Sequence, residues 1–145
     1  MDKLNQVVIF KLGETTYGVD LNQVKEIINV TGITKLPNTP VFVEGIANLR
    51  GSVYTIIDLR TKFGIEKKAY DANTKIIIAN QKNAGVLVDE ISQIMHIEDN
   101  DICTLDDSTI DLGHAGITCF VKKDDDIVVV LDLYELINFE QTGQV

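Results

Sequence analysis

Three short blocks of this 145-residue chain return later in it in the same order, and that internal echo restricts the fold more than any other feature. A shift of 67 residues sets Val19 on Val86, Leu21 on Val88, Val24 on Ile91 and Ile27 on Ile94. A shift of 71 sets Gly45-Ile46 on Gly116-Ile117, and a shift of 74 sets Asp58-Leu59 on Asp132-Leu133. Duplication in a chain of this length leaves each half about five short strands with one or two short helices, too small for an open sandwich of its own. Curling removes the exposed edges, so the expected fold is all-β with short helices, built as two small barrel lobes that share an interface. The whole is one domain, with lobe one roughly 15–75, lobe two roughly 76–135, and terminal segments that can cross between them.

The local signals are mostly hairpins. Val7–Leu12 and Thr15–Leu21 flank Gly13-Glu14, the second run alternating Tyr17, Val19 and Leu21 with polar neighbours. Thr74–Ala79 and Gly85–Val88 flank a turn in the same way. In Gly45–Leu59 the pair Gly51-Ser52 suits a two-residue turn, and Arg50 stands directly before it, at a tip of the kind that often carries function. A weaker copy runs from Gly116 through the polar turn Lys122–Asp126 to Leu133. Val24, Ile27 and Ile28, and later Ile91, Ile94 and Met95, fall at helical spacing, which predicts a short helix after Asp20 and another after Asp89. Gln23 stands where a capping-box partner would. A third helix is expected over Leu59–Phe63, capped by Asp58 and closed by Gly64. Leu36-Pro37-Asn38-Thr39-Pro40 holds both prolines and makes a stiff bend after a short strand at Ile33–Leu36. Glu66–Asn73 is expected to be a polar linker and 98–114 a loop.

Charge and side-chain chemistry narrow the function. Thirteen Lys and Arg against 22 Asp and Glu give −9, a field that repels nucleic acid and anionic lipid. The apolar runs are far shorter than the roughly 18 residues of a membrane span, and Met1-Asp2-Lys3 opens no signal-peptide core, so the expected place is the cytoplasm. Cys103, Cys119, His96 and His114 are not at metal or redox spacing, and no metal or other cofactor is expected. Asp20, Asp58, Asp89 and Asp132 each stand at a strand-to-helix junction, the placement of N-caps rather than of a catalytic pair held about 5–10 Å apart. With no phosphate loop and no nucleophile motif, the expectation is a binding protein and not an enzyme. The stripe Val24, Ile27, Ile91, Ile94 and Met95 has two readings: burial within each lobe, or an apolar groove that grips a partner helix with Glu26 and Arg50 as polar anchors. An alternative from another class uses the seam between lobes as a small-molecule pocket.

Asn48-Leu49-Arg50-Gly51 followed by Val53–Leu59 resembles the signature of the CheW family of chemotaxis adaptors. The resemblance extends to Tyr17-Gly18-Val19-Asp20 with Val24, Glu26 and Ile27, to Leu36-Pro37-Asn38-Thr39-Pro40, and to Gly85-Val86-Leu87-Val88-Asp89, from about Val7 to Ile137. It implies two intertwined five-stranded SH3-like barrels related by a pseudo-twofold. It also implies a scaffold that couples the cytoplasmic tip of transmembrane chemoreceptors to the regulatory domain of the chemotaxis histidine kinase, recruited to membrane-associated arrays. Carried over residue by residue, receptor contacts fall on Val24, Glu26, Ile27, Arg50, Ile91 and Ile94, and kinase contacts on Leu36, Pro37 and Pro40. A scaffold of the same family in another kinase pathway fits the same residues.

Overall fold

A computed structural model describes residues 4–103, 116–123 and 125–138. Eleven strands are present among them: β1 Gln6–Leu12, β2 Thr15–Asp20, β3 Val24–Asn29, β4 Val43–Leu49, β5 Ser52–Asp58, β6 Lys75–Ala79, β7 Ala84–Val88, β8 Glu90–His96, β9 Ile102–Cys103, β10 Ile117–Lys123 and β11 Asp126–Leu131. Two short α-helices, α1 Leu59–Lys62 and α2 Leu133–Ile137, come after β5 and β11, and 3-10 turns cover Leu21–Gln23 and Asp99–Asp101.

One sheet has the order β3-β6-β7-β5-β4 and the other β8-β1-β2-β11-β10-β9. Apart from β9 the two orders are copies of one another, each with a parallel pair at its centre, β5 with β7 and β11 with β2. The sheets do not follow the halves of the sequence: the N-terminal hairpin β1–β2 joins the late strands, and β6–β7 joins the early ones. This exchange is the intertwining of the two lobes. Each sheet also curls, so that a side chain from near one end reaches the strand at or near the other. In the first, Lys25 Nζ on β3 donates to Tyr54 Oη on β5 at 3.1 Å. In the second, Lys123 Nζ on β10 donates to the His96 carbonyl at the end of β8, 2.9 Å away.

The pleat divides the apolar residues between three clusters. Val8, Phe10 and Leu12 of β1 face a central core between the sheets, while Val7 and Ile9 face the interior of their own lobe with Val121, Val128 and Val130. Ile77 and Ala79 of β6 likewise enter the central core, and Ile76 and Ile78 pack with Ala47, Tyr54, Ile56 and Leu87 inside the first lobe. Strands buried on both faces read as unbroken apolar runs, which is why Ile76-Ile77-Ile78 shows no alternation. Each fully buried Ile contributes about 2 kcal/mol of transfer free energy, so three cores per chain hold the fold without disulfides.

Several expectations need correcting. The stripes at Val24–Ile28 and Ile91–Met95 belong to strands β3 and β8, not helices. A β-bulge explains the spacing. The register of β3 on β6 shifts between Val24 and Glu26, leaving Lys25 as an extra residue, and that of β8 on β1 shifts between Ile91 and Gln93, leaving Ser92 extra. An inserted residue turns the strand interval i, i+2 into i, i+3, which mimics a helix. The β4–β5 turn is Arg50-Gly51 rather than Gly51-Ser52, because Leu49 already pairs with Ser52. Both turn residues have positive φ, 52° and 86°, as a type I′ turn requires. The strand expected at Ile33–Leu36 is only a bridge between Thr34 and Ile46. Asp89 caps no helix. Most of the loop read over 98–114 lies outside the described residues. No helix among those described is long and apolar enough to cross a membrane.

Candidate functional site

β3 and β8 are equivalent strands, each at one end of its sheet. Across the ladder, Val24 faces Ala79 and Ile27 faces Ile77, while Ile91 faces Phe10 and Ile94 faces Val8. All four partners lie in the central core, and residues directly opposite share a face of the sheet. The four predicted apolar residues therefore lie on the core-facing side of two equivalent end strands, a rim of the core between the lobes. Val24, Ile27 and Ile91 are half-buried against that core, and Ile94 keeps 51% of its surface exposed.

Glu26 lies on the other face of β3, opposite Ile78. Its carboxylate accepts two hydrogen bonds from the Arg50 guanidinium, Nη1 to Oε2 at 2.7 Å and Nη2 to Oε1 at 2.9 Å. Those hydrogen bonds hold the Glu26 carboxyl below its ordinary range and raise Arg50 further above neutrality. Arg50 does not brace its own turn; the Gly51 N–H is accepted by Asn48 Oδ1 at 3.1 Å. The guanidinium stays 73% exposed, presenting charge at the edge of the apolar rim. So the predicted receptor set divides into an inward apolar group of four and an ion pair around the strand edge. The duplication does not repeat the pair, since Gln93 holds the position equivalent to Glu26.

The predicted kinase residues lie elsewhere. Leu36, Pro37 and Pro40 occupy the connection from β3 to β4, which Thr34 ties to Ile46 of β4 by two 2.8 Å backbone hydrogen bonds. Leu36 and Pro37 are exposed, and so is Val41, at 83% the barest large apolar side chain of those described and one that sequence reasoning left out. Its β-branched, Pro-flanked context carries no signal of exposure.

The four aspartates separate. Asp20 Oδ1 accepts the Asn22 N–H at 2.9 Å, Asp58 Oδ1 the Arg60 N–H at 3.1 Å, and Asp132 Oδ1 the Tyr134 N–H at 3.0 Å, so three are caps as expected. Asp89 instead binds the Arg60 side chain through both oxygens, at 2.8 and 2.6 Å, and accepts the Gly13 N–H at 2.7 Å. Burial pushes this carboxyl up, and the hydrogen bonds from Arg60 and Gly13 more than offset it, leaving it below the ordinary carboxylate value. All four carboxylates accept hydrogen bonds from donors of the chain itself.

A groove of about 620 Å³, whose lining sequence reasoning did not name, is formed by Tyr17, Phe42, Lys62, Phe63, Gly64, Ile117 and Leu131. Lys62 Nζ stands 4.1 Å from the centre of the Phe42 ring, and burial lowers its pKa. The duplication explains the opening. At the equivalent corner of the second half, Leu136 and Ile137 replace Lys62 and Phe63 and are buried.

The family model described as the CheW-like domain matches residues 6–141. Chemotaxis protein CheW of Klebsiella aerogenes is 32% identical over 142 residues, covering 97% of this chain and 86% of that protein. Chemotaxis protein CheW of Helicobacter pylori is 29% identical over 140 residues, covering 94% and 83%. Among solved structures, the crystal structure of the scaffolding protein TtCheW from Thermoanaerobacter tengcongensis superposes with a TM-score of 0.82 at 33% identity, covering 98% of this chain and 93% of that one. The duplicated, strand-exchanged architecture and these matches agree: the chain belongs to the CheW-like family of chemotaxis scaffold proteins.

Proposed function

We propose that this protein is a non-enzymatic adaptor that couples the cytoplasmic tip of chemoreceptors to the regulatory domain of the chemotaxis histidine kinase. The observation that carries the reading is that Val24, Ile27, Ile91 and Ile94 all lie on the core-facing side of equivalent end strands yet remain partly open to solvent, with the Arg50–Glu26 pair on the other face of β3. An amphipathic helical hairpin would lay its apolar face along that rim and its polar face toward Arg50. The exposed loop with Leu36, Pro37 and Pro40 is the proposed kinase contact, extended by Val41. Receptor binding then brings the protein to membrane-associated arrays. The coupling between the two partners can equal only the difference in the adaptor's affinity for the receptor's signalling states, typically about 1–3 kcal/mol.

Calorimetric titration at fixed salt, with a purified receptor cytoplasmic fragment and separately with the kinase regulatory domain, tests this. Saturable binding to both supports the adaptor, with the receptor arm weakened by Ile94→Asp and the kinase arm by Val41→Asp. Binding to neither refutes it and directs attention to the groove beside α1 as a small-molecule pocket.

A further inference from the structure

The described chain passes from one sheet to the other twice, at 20–24 between β2 and β3 and at 88–90 between β7 and β8. At each crossing a polar side chain is bonded to one of the short helices that come after the parallel strands. Gln23 donates from Nε2 to Asp132 Oδ1 at 2.8 Å and accepts the Leu133 N–H at Oε1, also 2.8 Å, holding the start of α2. Its carbonyl accepts the Asn80 N–H at 2.7 Å. Asp89 takes Arg60 Nε and Nη2 from α1 and the Gly13 N–H from the β1–β2 turn, and its own N–H donates to the Lys11 carbonyl at 3.1 Å. Arg60 Nη1 is fixed as well, 2.8 Å from the Glu66 carbonyl. The side chains of Arg60 and Asp89 are only 16% and 12% exposed.

Each crossing leads straight into the candidate site. Val24 comes directly after Gln23, and Ile91 two residues after Asp89. The helices themselves do not depend on these side chains for their place, since Leu59 of α1 and Leu133 and Leu136 of α2 are fully buried in the central core. The polar contacts act on the crossing segments instead, and through them on where β3 and β8 begin. α1 is also continuous with β5, whose hairpin carries Arg50 at its tip. We infer that Gln23 and the Arg60–Asp89 pair are positioning residues of the partner site, setting the separation of β3 and β8 across the rim. The separation itself is independent of the partner's identity; that it governs receptor affinity rests on the adaptor reading.

The test uses the full chain with Cys103 and Cys119 replaced by Ser and spin labels at Asn29→Cys and Gln93→Cys, exposed positions on β3 and β8. Dipolar distance distributions are compared for the labelled parent, Gln23→Ala, Asp89→Asn, Arg60→Met and Arg60→Lys. Asp89→Asn is nearly isosteric and keeps an acceptor for Gly13, so it remains informative if the larger changes unfold the protein. The expected result is a broader or shifted distribution for Gln23→Ala, Asp89→Asn and Arg60→Met, with Arg60→Lys recovering part of the parent distribution. Affinity for a receptor fragment should fall about tenfold in parallel. Unchanged distributions in both Gln23→Ala and Asp89→Asn would overturn the inference. Failure of the unlabelled protein to bind a receptor fragment, with the distributions of the variants shifted as expected, would count against the adaptor reading alone.

Discussion

The two parallel seams should respond differently to the same one-carbon change. Gly18 on β2 lies opposite Val130 of β11, and Gly85 on β7 lies opposite Ile56 of β5, so the duplication places one glycine at each seam. A Cβ at Gly85 would stand 2.8 Å from the Ile77 carbonyl oxygen, 2.9 Å from Ile78 Cδ1 and 3.0 Å from Ile76 Cγ2. The oxygen belongs to β6, paired with β7 along this stretch, and cannot retreat without distorting the ladder. At Gly18 the nearest atom would be Val7 Cγ1 at 2.3 Å, closer still, but it belongs to a side chain, so relief needs a change at the stiff χ1 of one buried Val and no shift of a paired backbone. Overpacking costs about 1–3 kcal/mol, and Gly→Ala returns about 0.4–1 kcal/mol by restricting the unfolded chain. The expected net loss is about 2 kcal/mol for Gly85→Ala, where the backbone resists and the cost lies at the top of that range, and about 1 kcal/mol for Gly18→Ala. At this size those figures correspond to falls in Tm of about 6 °C and about 3 °C. Urea unfolding followed by far-UV circular dichroism, with tyrosine fluorescence as a second probe, measures both. A Gly18→Ala loss equal to or larger than that of Gly85→Ala would refute the argument that backbone, not distance alone, decides the cost.

The polar contacts have consequences of their own. Asp89→Asn should destabilise by about 2 kcal/mol at neutral pH, because it leaves the largely buried Arg60 without its carboxylate. The Asp89 carboxyl is depressed in the folded state, so its contribution is present above the unfolded value of about 3.9 and is lost as pH falls through the folded one. The stability gap between parent and variant should accordingly be flat from about pH 5 to 8 and close only in strong acid. Tyr70→Phe should loosen 66–73, which Tyr70 and Lys67 tie to Glu44, and should speed hydrogen exchange there while lowering Tm by about 3 °C. Arg50→Ala should leave Tm nearly unchanged, since Asn48 braces the turn, yet weaken receptor binding about tenfold in calorimetry.

How much of the fold and the site was legible in the sequence varies by element. The β1–β2 and β6–β7 hairpins, the caps at Asp58 and Asp132 and the duplication itself are local or periodic signals, and each stands where the sequence places it. The β3 and β8 stripes misled because bulges at Lys25 and Ser92 give bulged strands a helical interval. The repeat offset nevertheless paired Val24 with Ile91 and Ile27 with Ile94, and the structure places each pair at matching positions of equivalent end strands. Asp89 looks like a cap because the residue types around a crossover resemble those at a helix start. Its true partner, Arg60, is 29 residues away. The polar stretch 66–73 reads as a linker, whereas Lys67 and Tyr70 fasten it to Glu44, a contact no local pattern encodes. The groove beside α1 arises where Tyr17, Phe63 and Ile117 meet from distant parts of the chain, so no window of sequence contains it.

Coupling itself is measured most directly by kinase autophosphorylation in a reconstituted mixture of receptor cytoplasmic fragment and kinase, with and without this protein. The account predicts that receptor-dependent control of the rate appears only when the protein is present, and that Ile94→Asp abolishes that control while the variant still binds the kinase regulatory domain. Equal control of the rate without the protein, or full control by Ile94→Asp, would contradict it.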